Sequence, residues 1–124
     1  MIIPKFLGLQ NQIRVLHWQT KSYAEHKALG KCYEALDPLV DQFVEVYFGT
    51  HGRHSAVATD GKTRAPEEVV DYGDITPQEL IDDGIAFLKT EVSKYLEDDD
   101  TDLSNIRDEM LAVLNQTKYL LTLK

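Results

Sequence analysis

The sequence has few of the features that mark several large classes of protein. A lone cysteine, Cys32, excludes an internal disulfide. No run of ~18 apolar residues is present, so we expect no membrane span. No cluster of Lys or Arg stands at either end, and 13 basic against 21 acidic residues give a formal charge of −8. We therefore expect no direct binding to nucleic acid, because that affinity comes mostly from phosphate neutralisation by clustered cations.

Motifs for several common chemistries are missing as well. The sequence has no Gly-rich phosphate loop, no G-x-S-x-G and no paired C-x-x-C, so nucleotide hydrolysis, serine hydrolysis and a zinc finger lack support. The opening MIIPKFLGLQ does not show the basic region and apolar stretch of a signal peptide. From this we predict a cytoplasmic protein.

What is present is one domain, residues 1–124, with 43% hydrophobic residues arranged in four amphipathic segments. Helix one is predicted over residues 4–21. Helix two should begin at the capping box Ser22–Glu25 and end near Gly49, with a kink or break at Pro38. Helix three should begin at a second capping box, Thr76–Glu79, and continue to Leu96. The acidic run 97–100 belongs to a turn, and helix four carries apolar residues from Leu103 to Leu121.

A long polar stretch, residues 50–75, separates helices two and three. So long a connection is unusual in a small domain, and one explanation is that it crosses the length of the bundle so that helices two and three run parallel. Residues 66–70 within it are predicted to form a short helix. The predicted fold is therefore all-α, a four-helix bundle with a long crossover connection.

Two pairs of side chains could bind a metal. Asp41 and Glu45 are spaced i, i+4 on helix two, so both carboxylates project from one face. His17 lies near the end of predicted helix one and His26 in the first turn of helix two, so the short turn between the helices allows the two imidazoles to lie close together. Such donors suit iron, manganese or zinc. However, His26 and Asp41 are fifteen positions apart, roughly 22 Å along a helix. Two chains with helix two packed antiparallel would bring the pairs together, which requires a homodimer.

The segment LHWQTKSYAEHKALGKCYEALDPLVDQFVE, residues 16–45, resembles the Dps group of ferritin-like proteins, the DNA-binding proteins from starved cells. The resemblance covers residues 6–48 and rests on His17-Trp18, His26 and Asp41-x-x-x-Glu45. It implies a ferritin-like bundle and an inter-subunit site where His17, His26, Asp41 and Glu45 bind iron, as a single or di-iron site, and oxidise Fe(II) to Fe(III). It also implies iron storage and protection against oxidative stress. At least a homodimer is expected, and the family's usual assembly is a dodecamer.

Two other functions remain open. The turn between His17 and His26 is about three residues shorter than the family spacing, and Pro38 interrupts helix two, so the chain could be a dimeric interaction protein without metal chemistry, binding a partner through residues 50–75. A monomeric bundle that matches the pattern by chance is the third interpretation.

The remaining notable residues have simpler interpretations. We expect Trp18 to pack in the dimer contact, with an indirect role at the metal. Cys32 should be a small buried hydrophobe, and His51 and His54 are predicted to lie in the loop and bind nothing.

Overall fold

The computed structural model describes residues 2–55 and 69–124. Four α-helices account for most of this part of the chain, and no strand occurs in it beyond an isolated bridge between Tyr72 and Ile75. The helices are α1 (Ile3–Gln19), α2 (Tyr23–His51), α3 (Pro77–Ala86) and α4 (Thr101–Leu120). The predicted all-α class is therefore confirmed. Within these residues, no helix has the length and apolar composition needed to cross a bilayer.

Each helix contacts two others, and side-chain contacts fix their directions. α2 contacts α1 and α4, and α3 contacts the same two helices. Lys118 near the end of α4 pairs with Asp82 in α3, whereas Arg107 in the first half of α4 donates to Ser93, which follows α3, so these two helices are antiparallel. One end of the molecule, here called the His17 end, holds the end of α1, the start of α2, the start of α3 and the end of α4. The opposite end, where α2 ends and α4 begins, is called the Asp100 end.

The described ends of the connection between α2 and α3 lie at opposite ends of the molecule. Gly52 follows α2 at the Asp100 end, whereas Thr76 precedes α3 at the His17 end. Helices α2 and α3 therefore run parallel, as the length of the connection predicted. The short helix predicted at 66–70 falls largely outside the described residues, and Val69 and Val70 are not helical.

Two glutamines on α1 hold the returning part of this connection. The Gln12 amide donates to the Val70 carbonyl oxygen (2.9 Å) and accepts from the Val70 N–H (2.8 Å), so it pairs with the backbone as a strand would. Seven residues on, on the same face of the helix, Gln19 accepts from the Tyr72 N–H at 2.6 Å. Gln12 is 7% exposed, so both of its backbone bonds are largely shielded from water.

Helix α2 differs from its prediction at both ends. At its start, Ser22 accepts from the Glu25 N–H (3.2 Å), but the reciprocal bond of the predicted capping box is absent. Instead, the Ser22 N–H donates to the Thr20 hydroxyl, which donates to Glu25. The helix ends at His51, two residues beyond the predicted Gly49, and the glycine that follows it with a positive φ is Gly52 (φ +88°) instead of Gly49.

Of the kink or break predicted at Pro38, the break does not occur, since α2 continues through the proline, and the kink stays a prediction. Proline removes one backbone donor, but the preceding residue, Asp37, is tied to α1 by Gln10 at 2.9 Å and by an ion pair with Arg14. Those contacts, together with Leu36 and Val40 in the core, hold the helix together on both sides of the proline.

The third segment begins as predicted and ends differently. Both halves of the Thr76–Glu79 capping box form. The expected single helix to Leu96 is instead α3 followed by a π-helical turn, Phe87–Glu91, and a 3₁₀ turn, Val92–Tyr95. Arg107 on α4 donates to Ser93 Oγ (2.6 Å), supporting these irregular turns. The acidic run 97–100 forms a turn as predicted, and helix four matches its predicted extent.

The core lies between all four helices. Phe6 is at its centre, in ring contact with Phe43 and Phe87. Cys32 is 1% exposed, and burial raises the pKa of its thiol to about 11, so the predicted role as a buried hydrophobe is confirmed.

Candidate metal centre

The structure brings His17 and His26 together at the His17 end. His17 lies in the last turn of α1 and His26 in the first turn of α2. The three-residue connection between the helices stacks the two imidazoles with their centroids 3.9 Å apart and their planes at 13°. Both side chains are half-buried. The pairing predicted from the short turn is therefore confirmed.

Reciprocal hydrogen bonds fix how each ring is oriented. His17 Nδ1 lies 2.7 Å from the His26 carbonyl oxygen, and His26 Nδ1 lies 2.9 Å from the His17 carbonyl oxygen. A carbonyl oxygen can only accept, so Nδ1 carries the proton in both neutral rings. Each Nε2 therefore keeps its lone pair, which is the arrangement found in metal-binding histidines whose other nitrogen is held by the backbone.

The His17 ring is also packed from the side of α2. A Cβ atom added at Gly30 would lie 2.8 Å from His17 Cε1, so only glycine allows this close approach. Tyr33 contacts the same ring edge to face at 5.3 Å. Neither residue was identified from the sequence. The glycine at position 30, one turn after His26, was the only indication in the sequence. That it contacts His17 depends on how closely α1 crosses α2.

The predicted carboxylates lie elsewhere on α2. Asp41 and Glu45 are both exposed, and neither makes a hydrogen bond or ion pair within the described part of the chain. Asp37, one turn earlier, is instead occupied by Arg14 and Gln10. Since α2 is continuous, Asp41 stays roughly 22 Å from His26. Among the described residues, no three His, Cys, Asp or Glu side chains of one chain cluster closely enough to hold a metal ion.

Two neighbouring clefts lie along α2 and share Tyr33 and Glu34; together they are called the groove. One, of about 620 Å³, is lined by His17 and His26, extends to Tyr33 and Glu34, and is bordered by Leu120 and Leu123. The other, about 690 Å³, begins at Tyr33 and Glu34 and extends to Asp41. The imidazole pair and Asp41 therefore open on the same groove, at different positions along it.

The other candidates divide between the two ends. Trp18 is 69% exposed, so it is not in the core of the chain, and its predicted place in a dimer contact remains a prediction. His54 is exposed and contacts the rings of Tyr47 and Phe48. The loop placement predicted for His51 is wrong, because His51 is the last residue of α2.

His51 takes part in a link between α2 and α4 that the sequence did not reveal. Its Nε2 lies 3.0 Å from Oδ2 of Asp100, the residue that caps the start of α4. The same carboxylate oxygen accepts from the Glu97 N–H at 2.9 Å. The Glu97 N–H, followed by His51, lowers the pKa of Asp100. An ionised aspartate at a helix N-cap is the only sequence signal for this link.

Comparison with known proteins places the chain among relatives of undescribed activity. No solved structure matches it. It is 31% identical over 124 residues to a protein of Enterobacteria phage T4 described as "Uncharacterized 14.6 kDa protein in mobD-ri intergenic region", covering 97% of this chain and 88% of that relative. A family match spans residues 17–121 and so includes all four predicted metal-binding residues. The chain belongs to the family described as "Family of unknown function (DUF5856)".

Proposed function

We propose that this protein binds iron at sites shared between two chains and oxidises Fe(II) to Fe(III), in the manner of a Dps-like ferritin. His17 and His26 of one chain and Asp41 and Glu45 of the other supply the donors. The observation that carries the proposal is the pair of reciprocal Nδ1–carbonyl bonds, which leaves two stacked imidazoles with free Nε2 atoms. Manganese or zinc fits the same donors.

The chemistry follows from the two kinds of donor. Imidazole nitrogens bind Fe(II) well, whereas the harder carboxylate oxygens favour Fe(III), so a mixed site favours loss of an electron. Two Fe(II) ions give two electrons, which reduce one hydrogen peroxide to two waters with uptake of two protons. The net charge of −8 raises the local concentration of cations.

The helical arrangement supports a ferritin-like classification. The four helices, the antiparallel pairing of α3 with α4 and the parallel course of α2 and α3 are what such a bundle with a long crossover requires. The proposal therefore combines this topology with the His17–His26 geometry. The same proposal extends to a dodecameric shell built from such dimers.

The test is an anaerobic Fe(II) titration followed by peroxide or oxygen. We expect a stoichiometric rise of ferric absorbance in the wild-type protein, lost in the double variant His26→Ala/Asp41→Ala. The matched control is His54→Ala/Asp83→Asn, which changes an exposed histidine and an exposed carboxylate outside the groove. Equal ferric absorbance in all three proteins would contradict the proposal.

A second function, a dimeric interaction protein without metal chemistry, is favoured by one observation. Lys27 and Lys31 line the same cleft as the two histidines, and their ammonium groups could neutralise the carboxylates of a partner in place of a metal ion. Native mass together with metal content separates the functions. Stoichiometric metal that raises the melting temperature supports the first, and a metal-free dimer unaffected by Fe(II), Mn(II) or Zn(II) supports the second.

A further inference from the structure

One row of exposed side chains runs the length of α2. Its members follow each other at alternating intervals of four and three residues, which keeps them on one face of the helix, and all are exposed. In order they are Lys27, Lys31, Glu34, Pro38, Asp41 and Glu45. The row, here called the α2 stripe, is basic in its first part and acidic in its last part.

Four charged residues of the stripe lie at equal distances on either side of its midpoint, two lysines on one side and two carboxylates on the other. Lys27 and Glu45 lie nine positions on either side of Leu36, and Lys31 and Asp41 lie five positions on either side of it. Turning a second copy by 180° about an axis that is level with Leu36, on the exposed side of α2, therefore places each lysine opposite a carboxylate; Leu36 itself faces the core. One rotation satisfies both pairs, and the two-fold symmetry repeats them, giving four ion pairs in one interface.

We propose that the α2 stripe is a homodimer surface, on which a second copy of this chain packs its own α2 antiparallel with the two-fold axis level with Leu36. The inference deepens the proposed function, which needs a second chain, by naming the contact and its register. A parallel contact is disfavoured, because it would set Lys27 against Lys27 and Glu45 against Glu45.

The groove beside the stripe agrees with this partner. It spans the stripe from Lys27 to Asp41 and includes apolar side chains such as Leu7, which is 38% exposed, and Val44. The acidic part of the stripe has no ion-pair partner within the described part of its own chain at Asp41 or Glu45. The second copy supplies both the apolar cover and the opposite charges.

This register makes a specific statement about the metal site. It sets the second copy's Glu45 opposite Lys27, one position along the helix from His26. In this register Glu45 is the nearer of the two proposed carboxylate donors to the imidazole pair, and Asp41, about one turn earlier on the same face, is the more distant one. Lys27 and a bound metal ion then share the same carboxylate.

Charge reversal tests the surface in the full chain, with chelator present so that no metal contributes. Lys27→Glu/Lys31→Glu makes the stripe acidic throughout, and Asp41→Lys/Glu45→Lys makes it basic throughout. By sedimentation velocity over a range of concentrations, we expect the wild-type chain to dimerise. We expect the dimer dissociation constant of each variant alone to be higher by about tenfold or more. An equimolar mixture of the two variants should form a heterodimer. The chain that carries all four substitutions should again form a homodimer.

The outcomes separate this proposal from the proposed function. A wild-type chain that is monomeric in chelator, variants that dimerise like the wild type, or a mixture that forms no heterodimer would each overturn the surface. A heterodimer also shows that both variants are folded. A dimer that follows the charge pattern but takes up no iron would leave the surface intact and contradict the iron site. A wild-type chain that dimerises only with Fe(II) would contradict the proposed surface and leave the iron site intact.

Discussion

Histidines link helices at both ends of the molecule, but those at the His17 end do so through Nδ1 and the one at the Asp100 end does so through Nε2. At the His17 end, Nδ1 of both His17 and His26 is bound to a backbone carbonyl and Nε2 is left over. At the Asp100 end, Nε2 of His51 is occupied by the buried Asp100 carboxylate. Within the described residues, histidine Nε2 is thus left without a hydrogen-bond partner in the pair at one end and is bonded to a carboxylate at the other.

The two ends differ in what their histidine contacts join. At the His17 end, the backbone carbonyls hold two stacked rings side by side and leave both Nε2 atoms for a metal ion. At the Asp100 end, the carboxylate joins the last residue of α2 to the residue before α4 and to the Glu97 N–H, so the contact holds two helices together. We therefore expect substitutions at the His17 end to change metal binding, and substitutions at the Asp100 end to change stability.

The largest expected effect comes from Gly30→Ala at the His17 end. The added Cβ would lie 2.8 Å from His17 Cε1, so the ring must turn away from the helix and lose its stack with His26. Displacing a group that orients a ligand costs about 10–100-fold in metal affinity. Calorimetric titration with Zn(II) or Mn(II) measures this loss.

Gly49→Ala is the matched control, because nothing lies within 4 Å of a Cβ at Gly49. Both substitutions exchange glycine for alanine in α2, which by itself favours the helix by up to ~1 kcal/mol. We expect Gly49→Ala to keep full metal affinity and to stabilise slightly. Equal affinity in the two variants would show that the His17 ring position does not matter for binding.

The next effect is at the Asp100 end. Asp100→Asn should lower the melting temperature near neutral pH and leave metal affinity unchanged. Because the folded-state pKa of Asp100 lies below its ordinary value of 3.8, its ionised form contributes stability that is fully present above about pH 5 and is lost as pH falls through the folded pKa. The difference in melting temperature between wild type and variant should therefore shrink in acid.

Asp99→Asn controls for the loss of one negative charge, since Asp99 is an exposed neighbour in the same turn. It should melt within about a degree of the wild type across the same pH range, as surface substitutions usually do. A stability difference for Asp100→Asn that stays constant into strong acid would mean that the ionised carboxylate is not what holds the two helices.

Most of the fold could be predicted because the apolar residues repeat at helical spacing. The intervals between Leu29, Cys32 and Leu36 put these residues on one face of helix two, and all three are in the core. The length of the connection likewise predicted that α2 and α3 are parallel. The π-helical turn at Phe87–Glu91 could not be predicted, because the apolar spacing continues through it and its contact with Arg107, which donates to the Leu88 carbonyl oxygen at 3.5 Å, comes from another helix.

The candidate site was predictable only as far as local spacing determines it. The three-residue turn brings His17 and His26 together, and the i, i+4 interval puts Asp41 and Glu45 on one face. The role of Gly30 depends on how closely α1 crosses α2, and the His51–Asp100 link joins residues 49 positions apart. Neither follows from a local pattern.

The smallest expected effect comes from Tyr72→Phe, which tests whether the connection shapes the His17 end or only lies on it. The Tyr72 hydroxyl donates to Glu25 Oε1 at 2.7 Å, but Glu25 also accepts from Thr20, and Tyr72 is 41% exposed. Losing one exposed hydrogen bond should cost about 0.5 kcal/mol or less in urea unfolding. Tyr119→Phe, which changes a tyrosine that is 63% exposed, should cost nothing. Metal affinity should stay unchanged in both, because the imidazoles are held by each other's backbone carbonyls; a loss of affinity in Tyr72→Phe alone would show that the connection also positions His26 through the first turn of α2.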